Sequence, residues 1–144
     1  MTDPVSPPDI GTPIGPKLGL EPGRTLLAVD APRIYPALLG PLPQGSRLVI
    51  CQLVSAARQD PPDVLHMFVR DRVSLLRAMP SLLALMTPKN AAWLSWPIER
   101  TLLHADLTPD YVRKVLRGTP LVETSYENLN EMWMGVRLTE PKSR

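Results

Sequence analysis

Four short apolar runs, separated by turns rich in proline and glycine, constrain the fold of this 144-residue chain more than any other feature. The runs occupy residues 24–30, 47–54, 64–69 and 91–95. Each is nearly continuous, a pattern typical of strands that are buried on both faces of a parallel sheet. We therefore predict a central sheet with both of its faces covered.

The segments between these runs predict the covering helices. A short helix is predicted at residues 34–40, where Gly40 and Pro41 mark its end. Asp71 caps a longer helix, in which Pro80 produces either a kink or a new first turn. The stretch 108–110, Thr-Pro-Asp, provides a capping hydroxyl, a first-turn proline and a first-turn acid. Gly118 then ends that helix.

The last two predicted strands, residues 121–127 and 132–138, are separated by only about four residues, so we expect an antiparallel hairpin. The earlier strands are joined through helices or longer loops, which permits parallel pairing. The predicted fold class is α/β: a mainly parallel, Rossmann-like sheet with helices on its faces and a C-terminal antiparallel hairpin.

Proline also suggests the domain limits. Ten of the 18 prolines lie in the first 43 residues, and five of these lie in residues 1–16. A segment of this composition buries little apolar surface. We predict a flexible proline-rich tail at 1–16, one α/β domain at 17–140 and a short tail at 141–144.

Charge and cysteine content exclude several functional classes. The net charge is +2, and basic residues are scattered among acidic ones, whereas a nucleic-acid binder clusters them on one face. No apolar run is long enough to cross a bilayer, and the N-terminal residues do not resemble a signal peptide. A single cysteine, Cys51, excludes an internal disulfide. We predict a cytoplasmic protein that binds neither nucleic acid nor membrane.

Several short motifs resemble a known family. The approach to the first strand resembles the methyltransferase version of the Rossmann-like fold. Residues 17–139 resemble, more closely, the bacterial family called domain of unknown function 3052, through Leu18-Gly-Leu-x-Pro-Gly23, Ala31-Pro32, Leu42-Pro-x-Gly45, Trp93-x-Ser-Trp-Pro97, Asp106-Leu-Thr108 and Trp133-x-Gly135. Ile98 stands where a lysine is usual in that family, and Met134 where a serine is usual. The resemblance implies the fold but no established activity.

The residues themselves argue against the cofactor that a methyltransferase or dinucleotide enzyme would use. Such a site needs glycines directly after the first strand, so that backbone N–H groups can approach the ligand. The turn here, residues 30–34, contains no glycine, and Pro32 lacks an N–H. The end of the second strand carries no acid to bind a ribose. We predict no cofactor.

Candidate catalytic and metal-ligating residues are few. His66 lies mid-strand between apolar neighbours and is expected to be a core or sheet-face residue and not a catalytic one. Cys51 lies in an apolar run with no neighbour in sequence that would lower the pKa of its thiol. The spacing of His104 and Asp106 suits an oriented imidazole, but two ligands do not make a metal site. We therefore assign no catalytic residue and no metal.

One crevice remains as a candidate ligand site. In open α/β sheets ligands bind outside the carboxyl ends of the strands, and we expect the first and fourth strands to lie near one another there. The candidate residues are Asp30, Arg33, Trp96, His104 and Asp106. Trp93 is predicted to be core, and Trp96 either forms the apolar wall of the crevice or covers the end of the sheet.

These observations predict a non-enzymatic module that binds a small ligand or another protein on a degenerate methyltransferase-like scaffold. The alternative is a divergent enzyme whose crevice lies at the carboxyl ends of the strands. The sequence identifies neither the ligand nor the partner, and it leaves oligomerisation open.

Overall fold

The computed structural model describes residues 11–56, 58–98 and 106–141. These form a six-stranded sheet with helices on both faces. A 3-10 turn at Gly15–Leu18 precedes the elements β1 (Thr25–Val29), α1 (Tyr35–Leu39), β2 (Arg47–Cys51), α2 (Leu53–Ala56), β3 (Val64–Phe68), α3 (Arg72–Leu85), β4 (Ala91–Pro97), α4 (Pro109–Leu116), β5 (Val122–Asn128) and β6 (Trp133–Thr139). No helix in these ranges is both long and apolar enough to cross a membrane.

The strand order is β2-β1-β3-β4-β6-β5. The strands β2, β1, β3 and β4 pair in parallel with one another, and β6 runs antiparallel to both β4 and β5. The predicted fold class, a mainly parallel α/β sheet with a C-terminal antiparallel hairpin, is confirmed.

The alternation of side chains along β1 explains why both faces of the sheet are covered. Leu26 and Ala28 pack against α1 and the 3-10 turn on one face of the sheet, which we call the α1 side. Leu27 and Val29 pack with α3 and α4, in what we call the α3–α4 side. Since successive side chains of a strand point to opposite faces, a continuous apolar run is what a two-sided core requires.

The two long helices begin where the sequence places them. Asp71 is the N-cap of α3, and its side chain accepts a hydrogen bond of 2.8 Å from the backbone N–H of Ser74. Pro80 lies inside the uninterrupted span of α3. Thr108 caps α4 through the N–H of Tyr111.

Two predicted strand limits change. β2 ends at Cys51 and not at Val54, because α2 begins at Leu53, whose N–H donates to the Asp30 carboxylate. β4 continues beyond Ser95 to Pro97, because β6 pairs with it along its whole length.

The predicted tail also changes in part. Residues 11–16 contact the domain: Ile14 is fully buried on the α1 side, and its N–H donates to the carbonyl of Leu38. The backbone N–H and the hydroxyl of Thr12 both donate to the Glu131 carboxylate. The buried Ile14 and the hydrogen bonds of Thr12 together attach this short segment to the domain, which the proline count alone does not reveal. Residues 1–10 lie outside the described ranges.

Candidate functional site

An open cleft of about 640 Å³ lies over the carboxyl ends of β1, β2 and β3. This is the side of an open α/β sheet on which ligands bind. The residues that line it come from the last positions of β2 and β3, from the segments that follow the three strands, and from the first turns of α1 and α3. They are Asp30, Ala31, Pro32, Arg33, Pro36, Ile50, Cys51, Gln52, Phe68, Val69, Arg70 and Ser74.

The turn after β1 is held by Asp30. This residue has a positive φ of 56°, the only one at a non-glycine position in the described ranges. Aspartate tolerates this region better than most residues do. Its carboxylate accepts a 2.9 Å hydrogen bond from the N–H of Leu53, and its own N–H donates to the carbonyl of Cys51 at 3.0 Å. Asp30 therefore ties the end of β1 to the start of α2.

Two arginines give the cleft its charge. Arg33 follows β1 and Arg70 follows β3, and both are exposed. Within the described ranges neither guanidinium forms an ion pair. Asp30 is the only acid among the described lining residues, and together these residues carry a net charge of +1. The cleft thus presents guanidinium donors that can bind an anion.

The remaining wall of the cleft is largely apolar. Phe68 and Val69 are buried, whereas Ile50 on β2 remains 49% exposed. The ring of Phe68 packs edge-on against Tyr35 and Trp133, which fixes its orientation. An exposed isoleucine and a fixed aromatic ring in one cleft offer surface for the apolar part of a ligand.

Cys51 lines the same cleft as a free thiol. Burial, and then the neighbouring Asp30 carboxylate, raise the pKa of this thiol. It is therefore held in the protonated form, which is a poor nucleophile.

Asp106 lies beside the first turn of α3 and not in the cleft lining. Its carboxylate accepts a 2.9 Å hydrogen bond from the N–H of Arg72, and its carbonyl accepts one from the Arg72 guanidinium. That guanidinium also stacks on the ring of Tyr111, 4.2 Å from its centroid. These contacts join the segment before α4 to the start of α3.

Both tryptophans of β4 are buried, each with 1% of its surface exposed, and they point to opposite faces of the sheet. Trp93 packs on the α1 side and donates through Nε1 to the carbonyl of Leu18, as expected of a core residue. Trp96 packs on the α3–α4 side and does not line the cleft. The physical reason is the strand order: β3 lies between β1 and β4, so these two strands do not adjoin as we expected.

His66 is fully buried in β3, and both of its ring nitrogens have partners. The hydroxyl of Tyr35 lies 2.7 Å from Nδ1, and that of Ser95 lies 2.7 Å from Nε2. Burial lowers the pKa of His66 to about 3, so the imidazole is neutral.

The Ser95 hydroxyl that contacts His66 faces Gly135 in β6. A Cβ at Gly135 would lie only 3.1 Å from this hydroxyl. His66 is a core histidine, as its sequence context indicates.

Of the five predicted crevice residues, Asp30 and Arg33 lie in the cleft, Asp106 lies at the start of α3, and Trp96 lies in the core. His104 is outside the described residues. The described residues contain no group of three or more histidine, cysteine or acidic side chains able to hold a metal ion.

Comparison with solved structures places this geometry on a known scaffold. A SAM-dependent methyltransferase from Aquifex aeolicus superposes with a TM-score of 0.58 at 12% identity, over 85% of each chain. The ribosomal protein L11 methylase from Lactobacillus delbrueckii subsp. bulgaricus gives a TM-score of 0.61 at 12% identity, over 90% of this chain and 75% of the methylase. The fold is methyltransferase-like. No family model and no curated protein matches the sequence.

The turn after β1 does not fit the glycine-dependent cofactor binding expected of a Rossmann-like scaffold. Pro32 has no N–H to offer, and the positive-φ position is occupied by Asp30, whose carboxylate already bonds to α2. α1 spans only five residues and has a proline in its first turn. The methyltransferase-like scaffold is therefore present, but its turn after β1 has no glycine and lacks the N–H at position 32.

Several lining residues were not selected from the sequence. Arg70 directly follows a predicted strand, and that position was the available signal. Ile50 and Phe68 gave no signal, because apolar residues inside a predicted strand are assigned to the core by default. Their exposure to the cleft depends on which strands are neighbours.

Proposed function

We propose that this chain is a small-ligand-binding module on a methyltransferase-like scaffold, and that its cleft binds a small organic anion with an apolar body. The observation that carries the proposal is that the cleft combines two guanidiniums, Arg33 and Arg70, which form no ion pair within the described ranges, with the apolar wall of Ile50 and Phe68. Guanidinium groups bind carboxylate or phosphate through paired hydrogen bonds, and the wall would hold the rest of the molecule.

The alternative, a divergent enzyme using the same crevice, is less well supported. No histidine occurs among the described lining residues, and the one thiol there is kept protonated. Asp30 already accepts a hydrogen bond from Leu53, which favours a structural role over that of a general base. The resemblance to domain of unknown function 3052 adds no activity to either proposal.

A thermal-shift screen with matched probes tests the proposal. Phenyl phosphate, phenylacetate and benzoate should raise the melting temperature of the whole chain in a saturable way, since binding to the folded state stabilises it by mass action. Phenol, phenylacetamide and benzamide, which have the same bodies without the charge, should give smaller shifts. Equal shifts within the pairs, or none at all, would contradict an anion site.

Adenosylmethionine should produce no saturable thermal shift and no saturable heat in calorimetry, even at millimolar concentration. The physical reason is the turn after β1, which has no glycine, lacks an N–H at Pro32 and holds the Asp30 carboxylate in a hydrogen bond with Leu53. A micromolar dissociation constant, competed by adenosylhomocysteine, would show instead that the scaffold keeps the cofactor site by other contacts.

Replacing Arg33 or Arg70 with glutamine should weaken binding of whichever anionic probe the screen identifies by about tenfold or more, because a hydrogen bond to a charged group contributes about 1.5–3 kcal/mol. The matched control is Arg117→Gln at the end of α4, which is exposed and outside the cleft lining. Calorimetry on the three variants decides the matter. Unchanged affinity in both cleft variants would place the anion elsewhere.

A further inference from the structure

The two edges of the sheet differ in how they are protected. β5 forms one edge and has an irregularity between Glu123 and Ser125 in its pairing with β6. It also carries Glu123 and Glu127, so this edge combines a bulge with negative charge. Proteins use both devices to prevent edge strands from pairing with other chains.

β2 forms the other edge; it has no bulge, and its one charged residue, Arg47, lies at its start. Its register with β1 runs without interruption from Arg47 to Cys51. Leu48, Val49 and Ile50 are apolar, all are at least partly exposed, and no described strand pairs with their outer side. An apolar edge strand of this kind is a template for another strand.

The hydrogen bonds to β1 determine which backbone groups of β2 point outward. The N–H of Arg47 donates to the carbonyl of Arg24, and the carbonyl of Cys51 accepts from the N–H of Asp30, both at 3.0 Å. Both residues therefore direct their backbone groups toward β1. Because this direction alternates along a strand, Leu48 and Ile50 present their N–H and C=O groups at the open edge.

We propose that two copies of this chain pair through β2, antiparallel and centred on Val49, to form one continuous sheet. In this register Leu48 of each copy lies opposite Ile50 of the other, and the outward groups of each such pair exchange two hydrogen bonds. The two pairs give four hydrogen bonds, and they bring the exposed side chain of Ile50 next to that of Leu48 in the other copy. The contact is a symmetric one of the kind that closes a dimer.

Charge complementarity favours a second copy as the occupant of this edge. The same register places Arg47 of each copy opposite Cys51 of the other. Asp30 lies beside Cys51, and its carboxylate reaches past the end of β2 to the N–H of Leu53. Each copy thus brings a guanidinium toward the other copy's carboxylate, twice per dimer. Arg47 would also add a cation to the anion-binding cleft of the other copy, and this one consequence rests on the proposed function.

Sedimentation equilibrium of the whole chain, from low to high micromolar concentration, tests the pairing. Because the interface is small, we expect a concentration-dependent rise from the monomer mass of 16.0 kDa toward twice that value. Hydrogen exchange followed by NMR should show the Leu48 and Ile50 amides exchanging more slowly at high concentration than after dilution. A chain that stays monomeric with both amides unprotected overturns the proposal.

Two variants with matched controls locate the contact. Ile50→Pro removes an outward N–H that β1 does not use, so it should abolish the dimer, whereas Ile50→Val should retain it. Arg47→Glu places acid near acid and should raise the dimer dissociation constant about tenfold or more, whereas Arg117→Glu should not change it. Circular dichroism checks that each variant is folded. If Ile50→Pro does not fold, the Arg47→Glu variant alone tests the proposal. A dimer insensitive to Arg47→Glu overturns the proposed edge.

Discussion

Replacing Trp96 with alanine should lower the free energy of unfolding by about 3–5 kcal/mol, the usual cost of removing a buried aromatic side chain. Trp93→Ala should cost a similar amount. Both rings are 1% exposed, and they belong to the two different cores on either side of the sheet. Since a domain of this size is stable by only about 5–15 kcal/mol, each variant should be close to unfolding.

Urea denaturation of the two variants measures this directly, with Val54→Ala as the control. Val54 is 81% exposed, so its truncation should change the free energy by less than about 0.5 kcal/mol. If Trp96→Ala lowered the free energy of unfolding by only about 1 kcal/mol and Trp93→Ala lowered it by several kcal/mol, the sequence-based alternative would be favoured. In that alternative Trp96 forms a wall of the crevice.

Lowering the pH from 7 to 4.5 should destabilise the protein by about 2–3 kcal/mol through His66 alone. Burial lowers the pKa of this imidazole from 6.5 to about 3 in the folded state. Between those two values the unfolded chain binds a proton at His66 that the folded chain does not. The free energy of unfolding therefore falls as the pH decreases through this window, and above pH 6.5 this contribution is constant.

The variant His66→Gln isolates this effect from the titration of the carboxylates. Glutamine does not titrate, and its amide can serve the hydroxyls of Tyr35 and Ser95 as donor and acceptor. The variant should be less stable at pH 7 but should lose less stability on acidification. Urea midpoints at several pH values for both proteins provide the comparison. Parallel pH dependences would show that His66 is not the residue responsible.

The sequence by itself determined the fold class, because the local signals agree with one another. Continuous apolar runs predict strands that need two covered faces, and the caps at Asp71 and Thr108 begin helices whose apolar residues provide that cover. It also determined that Trp93 and His66 are core residues. In each case the information lies within a few residues of the position concerned.

Only the tertiary structure decided which strand ends adjoin. β3 lies between β1 and β4, so Trp96 packs in the core, while Arg70 and Phe68 line the cleft with Asp30 and Arg33. Strand order depends on contacts between residues that are distant in the chain, and similar apolar runs are compatible with several orders. Long-range packing also buries Ile14 in the proline-rich segment. The burial of a single apolar side chain depends on the surface against which it packs and not on its neighbours in sequence.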